Sequence, residues 1–124
     1  MILPLISSAT CPRHYQFGDY RALMLTGITA SGVMQYHHAL LVYRRGRPRP
    51  CLAVSCEYLD EEDAECPVLG LFAGNAHSNY GEAPDLTDPE AFTSRALALA
   101  MEQLQLPAET PVETTPLEPP HQFE

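Results

Sequence analysis

Apolar and polar positions along the chain alternate in short runs, and the period of each run predicts its element. Residues 51–59 carry Leu52, Val54, Cys56 and Tyr58 at one parity and Ala53, Ser55 and Glu57 at the other, the two-residue period of a strand. Residues 14–28 are rich in aromatic and branched side chains and break at Gly18-Asp19, which predicts one bent strand or two short ones. Residues 33–45 are apolar at both parities, as in a strand covered on both faces. Pro48 and Pro50, which have no N–H to give to a ladder, place a hairpin tip over the Arg-rich stretch 44–50. Residues 67–73 form a short buried run ending at Gly74-Asn75, and the apolar start of the chain reads as an ordered first strand.

One helix is expected. Thr87 and Glu90 stand at capping-box spacing with Pro89 in the first turn, and Phe92, Ala96, Leu97, Leu99, Ala100, Met101 and Leu104 collect on one face. After Leu106 five prolines fall in eighteen residues with no apolar period, the composition of a disordered acidic tail, in which Pro116-Leu117-Glu118-Pro119 has PxxP spacing. The fold class expected is α+β. It comprises a mainly antiparallel meander of four to five strands packed by the C-terminal helix over residues 1–106, with the tail at 107–124.

Composition narrows function more than it assigns it. The 124 residues suit one domain, and the formal charge of −9 is too acidic for a surface that grips nucleic acid throughout. All seven basic residues are Arg, so Schiff-base lysine chemistry and the lysines of P-loops and kinases are excluded. Charge is also lopsided, with net +4 over residues 1–59 and net −13 over residues 60–124, which reads first as a solvated surface plus an acidic tail and otherwise as suiting head-to-tail association or a basic partner. No apolar run has the length of a membrane helix and no basic leader precedes the start, so a cytoplasmic protein with no cofactor is expected.

Three places carry candidate chemistry. Residues 74–85, read as a loop, bring His77, Asn79, Tyr80, Glu82 and Asp85 together before the helix, with His77 as general base, Glu82 or Asp85 orienting it and Tyr80 anchoring a ligand. The competing reading is an irregular loop held by Asx and Ser turns. His37-His38 point to opposite faces of a regular strand, and share a metal only across a bulge; either could join Cys51 or Cys56 across the hairpin in a zinc site, and His38 with Cys56 could form a nucleophile and base. Cys11, Cys51, Cys56 and Cys66 match no disulfide scaffold and are expected as buried free thiols, although a Cys56–Cys66 bridge over the acidic run would suit an oxidising compartment.

The third place is the tip itself. Arg45-Gly46-Arg47-Pro48, flanked by Arg44 and Arg49, resembles the AT-hook, which implies contact with the minor groove of A·T-rich DNA through Arg45 and Arg47. The usual setting of that motif is a disordered basic segment, whereas this one joins two strands of an acidic chain, where pairing with acidic protein, or with the chain's own acidic run, is favoured. One helix leaves the second sheet face uncovered, and Leu41, Tyr43 and Ala53 on it predict a homodimer or a protein partner. The leading expectation is a non-enzymatic protein-binding module using that face and residues 74–85. The alternative is a small ligand-binding domain or enzyme centred on His77.

Overall fold

The computed structural model describes residues 6–30, 32, 34–59, 65–74, 76–107 and 109–116. The expectations for residues 1–5, for the acidic run 60–64, for the tail beyond 116 and for the Cys11 side chain lie outside what is described. Along the chain come β1 (Ile6–Phe17), β2 (Tyr20–Ala30), β3 (Gln35–Arg44), β4 (Pro50–Tyr58), β5 (Val68–Ala73), β6 (Ala76–Glu82), α1 (Pro89–Gln103) and β7 (Glu113–Pro116). They form one seven-stranded antiparallel sheet in the order β6-β5-β4-β3-β2-β1-β7.

The α+β meander stands, but with seven strands in place of four to five. Residues 76–82, expected as loop, pair with β5 through a tight turn at Gly74. Residues 113–116, expected within a disordered tail, pair with Arg13–Gln16 of β1. Both strands are polar and carry no apolar alternation, so the signal that reveals a half-buried strand is missing from them.

The long β1–β2 hairpin bends. Its register slips three times between Ile6 and Arg13, and Gly27 sits at φ 56 beside the slip, the left-handed conformation that a bulge of this kind asks of glycine. The bent end adds Ile6, Ala9, Ile28 and Ala30 to a cluster with Leu25, Tyr36, Ala39, Leu41, Ala53 and Phe72 on the sheet face away from α1. That face is therefore more closed than the sequence suggests: Leu41 is 8% exposed, Ala53 is fully buried and Tyr43 is half-buried.

The main core lies on the other face. Ala22, Met24, Leu40, Val42, Leu52, Val54, Cys56, Leu69 and Leu71 meet Phe92, Ala96, Leu99 and Ala100 of α1, which crosses β3 and β4. Burying each large apolar side chain contributes about 1.5–3 kcal/mol, so this layer dominates stability. The helix begins one residue later than the capping box implies. Asp88 is the N-cap and accepts from Ala91 N at 2.9 Å with Pro89 in the first turn, while Thr87 Oγ1 donates to Pro84 O. A short 3₁₀ turn, Pro84–Thr87, leads in from β6 and buries Leu86.

Candidate functional site

The alternation of β4 sends Ala53, Ser55 and Glu57 to the face opposite α1, and two of them are polar. Ser55 is fully buried and Glu57 is 1% exposed. A buried carboxylate needs hydrogen-bond donors, because its charge has left water. Glu57 has two: Ser55 Oγ donates to Oε2 at 2.7 Å and His77 Nε2 lies 2.8 Å from Oε1. Space for this cluster comes from β5, where Gly70 pairs with Ser55. A Cβ there would stand 2.8 Å from both Glu57 Oε1 and Ser55 Oγ, so only glycine fits beneath them.

The His77 imidazole is fixed in two further ways. It lies flat on Phe72, with ring centroids 4.1 Å apart and planes 6° from parallel, and its strand holds it at the sheet edge with the side chain about one-third exposed. The contact directs Nε2–H at Glu57, so the carboxylate sets the ring's orientation and, in the neutral imidazole, leaves Nδ1 with the lone pair. Tyr36 is close by; burial pushes its hydroxyl up to about 12, with the Glu57 charge adding to the effect.

His77 and Glu57 open into a cleft of about 490 Å3 whose walls include Met34, Leu59, Cys66, Asn79 and Glu82. Cys66 Sγ donates to Glu82 Oε2 at 3.3 Å across the rim, and Asn79 Oδ1 accepts from Gly81 N at 2.7 Å, tying down the end of β6. The cleft combines an oriented nitrogen base, a carboxylate, an amide and apolar wall, which is the composition of a small-ligand site.

The candidate residues of 74–85 divide between two faces. His77 and Asn79 belong to this cleft. Tyr80 and Asp85 line a separate one of about 500 Å3 on the helix side, with Leu86 and Arg95, where Gln103 Nε2 donates to the Tyr80 hydroxyl at 3.4 Å. Glu82 reaches both. The partner of His77 is thus Glu57, not Glu82 or Asp85. Glu57, Ser55 and Gly70 were missed because a strand residue's neighbours across the sheet are not written beside it; the usable signals were an acidic residue in an otherwise apolar strand and a glycine inside a buried one.

The other places resolve differently. A bulge between Tyr36 and His38 does occur, with the two imidazole centroids 6.2 Å apart. His37 packs on Tyr58, and His38 turns under α1, where Nε2 donates to Thr87 O at 2.8 Å and the ring meets Phe92. Burial lowers the His38 pKa. Cys56 faces the same core and burial pushes its thiol up to about 12, the carboxylates of Glu57 and Asp85 adding, so it is an inert thiol and no nucleophile for His38. Among the described residues no three His, Cys, Asp or Glu side chains converge as metal ligands. Cys51, Cys56 and Cys66 are thiols, and the bridge considered between Cys56 and Cys66 is not formed, because Cys56 is buried against the helix while Cys66 is exposed at the cleft.

The Arg-rich segment is the β3–β4 hairpin tip, as expected, closed by Arg47 N donating to Arg44 O at 3.0 Å. Arg45 and Arg47 flank a hollow of about 440 Å3 shared with Tyr20 and Arg21, whose guanidinium stacks 4.7 Å over Tyr43. Among the described residues no helix is long and apolar enough to cross a membrane. Comparison with family models, with curated proteins and with solved structures finds no match to this chain.

Proposed function

We propose that this chain is a small ligand-binding domain or enzyme whose site is the Glu57–His77 cleft. The observation that carries the reading is the 2.8 Å contact of His77 with a carboxylate that is 1% exposed, at the mouth of a cleft. A buried carboxylate orienting a partly exposed imidazole is costly to retain as packing alone, since a hydrophobic replacement of like volume is often neutral or stabilising. Such a site takes a ligand that offers an O–H or N–H to Nδ1 and an apolar part to Met34 and Leu59. With a substrate that loses this proton on reacting, the same nitrogen is a general base.

A fragment screen by amide NMR tests it, run on the full chain beside His77→Ala and Glu57→Gln. The expected result is ligands that shift His77, Asn79 and Leu59 and lose about tenfold or more in affinity, roughly 1.4 kcal/mol, with His77→Ala. Fragments that bind the variant as well as the parent chain overturn the reading.

A second reading, a protein-binding module acting through residues 74–85, is favoured by one observation: β6 is an edge strand, and all seven of its residues are exposed. The sheet face supports it less, since Leu25, Ala39, Leu41, Ala53 and Phe72 are already buried within one copy.

A further inference from the structure

We propose that β6 is a docking strand that receives an extended, basic segment of a partner protein by main-chain pairing along the sheet edge. The proposal rests on the reading of the chain as a protein-binding module and names the chemistry of the partner. Every second residue of an edge strand turns its N–H and C=O outward, where they template a further strand. Proteins blunt such edges with lysine, proline, bulges or inward charge. β6 has neither lysine nor proline, and its register shift, with Gly81 N taken by Asn79 Oδ1, comes only after Asn79, so residues 76–79 are the open part of the edge.

A strand added there sends its side chains alternately to the two faces of the sheet. Both faces are prepared for them. One cleft of about 490 Å3 flanks β6 on the side of His77, and another of about 500 Å3 flanks it on the side of Tyr80. Leu59 and Tyr80, 53% and 45% exposed, are the exposed large hydrophobics among the described residues, and each lines one of these clefts. Among the described residues the two large apolar side chains most exposed to water therefore sit on either side of β6.

Charge selects the occupant. Glu82 lines both clefts and Asp85 the second, against a single arginine, Arg95, while Glu57 in the first is already engaged by Ser55 and His77. A segment alternating arginine with apolar residues sets guanidinium groups against these carboxylates, whereas an acidic strand or a phosphate backbone is repelled. A second copy offering either of its edges fits poorly, because β7 is Glu-Thr-Thr-Pro and β6 carries Glu82, each with an acid and neither with a lysine or arginine.

The test is an amide NMR titration of the full chain with an acetylated, amidated peptide of alternating Arg and Val. Its controls are the Glu-for-Arg peptide and two peptides N-methylated at alternate residues, one in each phase. The expected result is shifts centred on Ala76–Glu82, no binding of the Glu peptide, and a loss of about tenfold or more for one N-methylated form and for Leu59→Ser with Tyr80→Ser. Equal binding of both N-methylated forms, or shifts centred elsewhere, overturns the docking strand while leaving protein binding standing. No shift with any peptide near millimolar concentration overturns both.

Discussion

The two faces of this sheet are built from the same strands and behave differently. On the face under α1, β4 contributes Leu52, Val54 and Cys56 to a dry layer closed by Phe92 and Leu99. On the opposite face the residues between them are Ala53, Ser55 and Glu57, and burial there comes from the bent β1–β2 end and from His77 lying on Phe72. The first face is held by area, and any apolar side chain of suitable volume serves it. The second is held by specific partners, because a carboxylate at 1% exposure persists only while its donors stay in place. Side chains that need particular partners and still reach solvent are the ones placed to do chemistry.

This contrast can be broken from either side. The largest effect is expected from Phe92→Ala, which opens a cavity between helix and sheet and costs about 3–5 kcal/mol in chemical denaturation; a loss below 1 kcal/mol would show that the helix is not the main source of stability. On the other face Gly70→Ala forces a methyl to within 2.8 Å of Glu57 Oε1 and Ser55 Oγ, and should cost about 1–3 kcal/mol while displacing the His77 ring signals. An unchanged urea midpoint with unmoved imidazole resonances would mean that the cluster is loose. Asp88→Ala, which removes the N-cap of α1, sharpens the first face's share with an expected loss of about 1 kcal/mol.

The smallest effect is in pH dependence, and it belongs to the helix side. His38 has a folded pKa below its unfolded value of 6.5, through burial first, with neighbouring His37 acting in the same direction. As pH falls the unfolded chain therefore binds this proton first. Stability is full above 6.5 and is lost as the pH drops from there toward the folded value. His14 is shifted in the same direction, by burial and by Arg21, so His38→Leu should flatten the slope of stability against pH below 6.5 without abolishing it. An identical slope in parent and variant would show that His38 is not the titrating group.

Residues with a strong apolar period were legible in the sequence: the faces of β4, the tip at 44–50 and the buried face of α1 follow from spacing and proline chemistry, whereas the break at Gly18-Asp19 is the turn between two long strands, Ile6–Phe17 and Tyr20–Ala30, not a bend or a gap between two short ones. Polar strands were not. β6 has no alternation to betray it, because both of its faces are exposed, and β7 is four residues of Glu, Thr and Pro. For the site, His77 and Asn79 were legible as a polar concentration near a helix start, but Glu57 stands twenty residues earlier and meets His77 only because β5 lies between their strands. Such a contact depends on register, which a single sequence does not state.

The meander has a consequence for how the chain assembles. From β2 to β6 each strand pairs with the one just before it, across connections of at most nine residues, so the closure entropy of each pairing is small. The β1·β7 pairing is the exception, joining Arg13–Gln16 to residues about one hundred positions later, after the helix has been laid down. With only four residues, Glu, Thr, Thr and Pro, it gains little on closing so long a loop, and it is expected to open before the hairpin pairings do. Proteolysis should therefore nick the chain near residue 110 while the rest of the sheet remains intact.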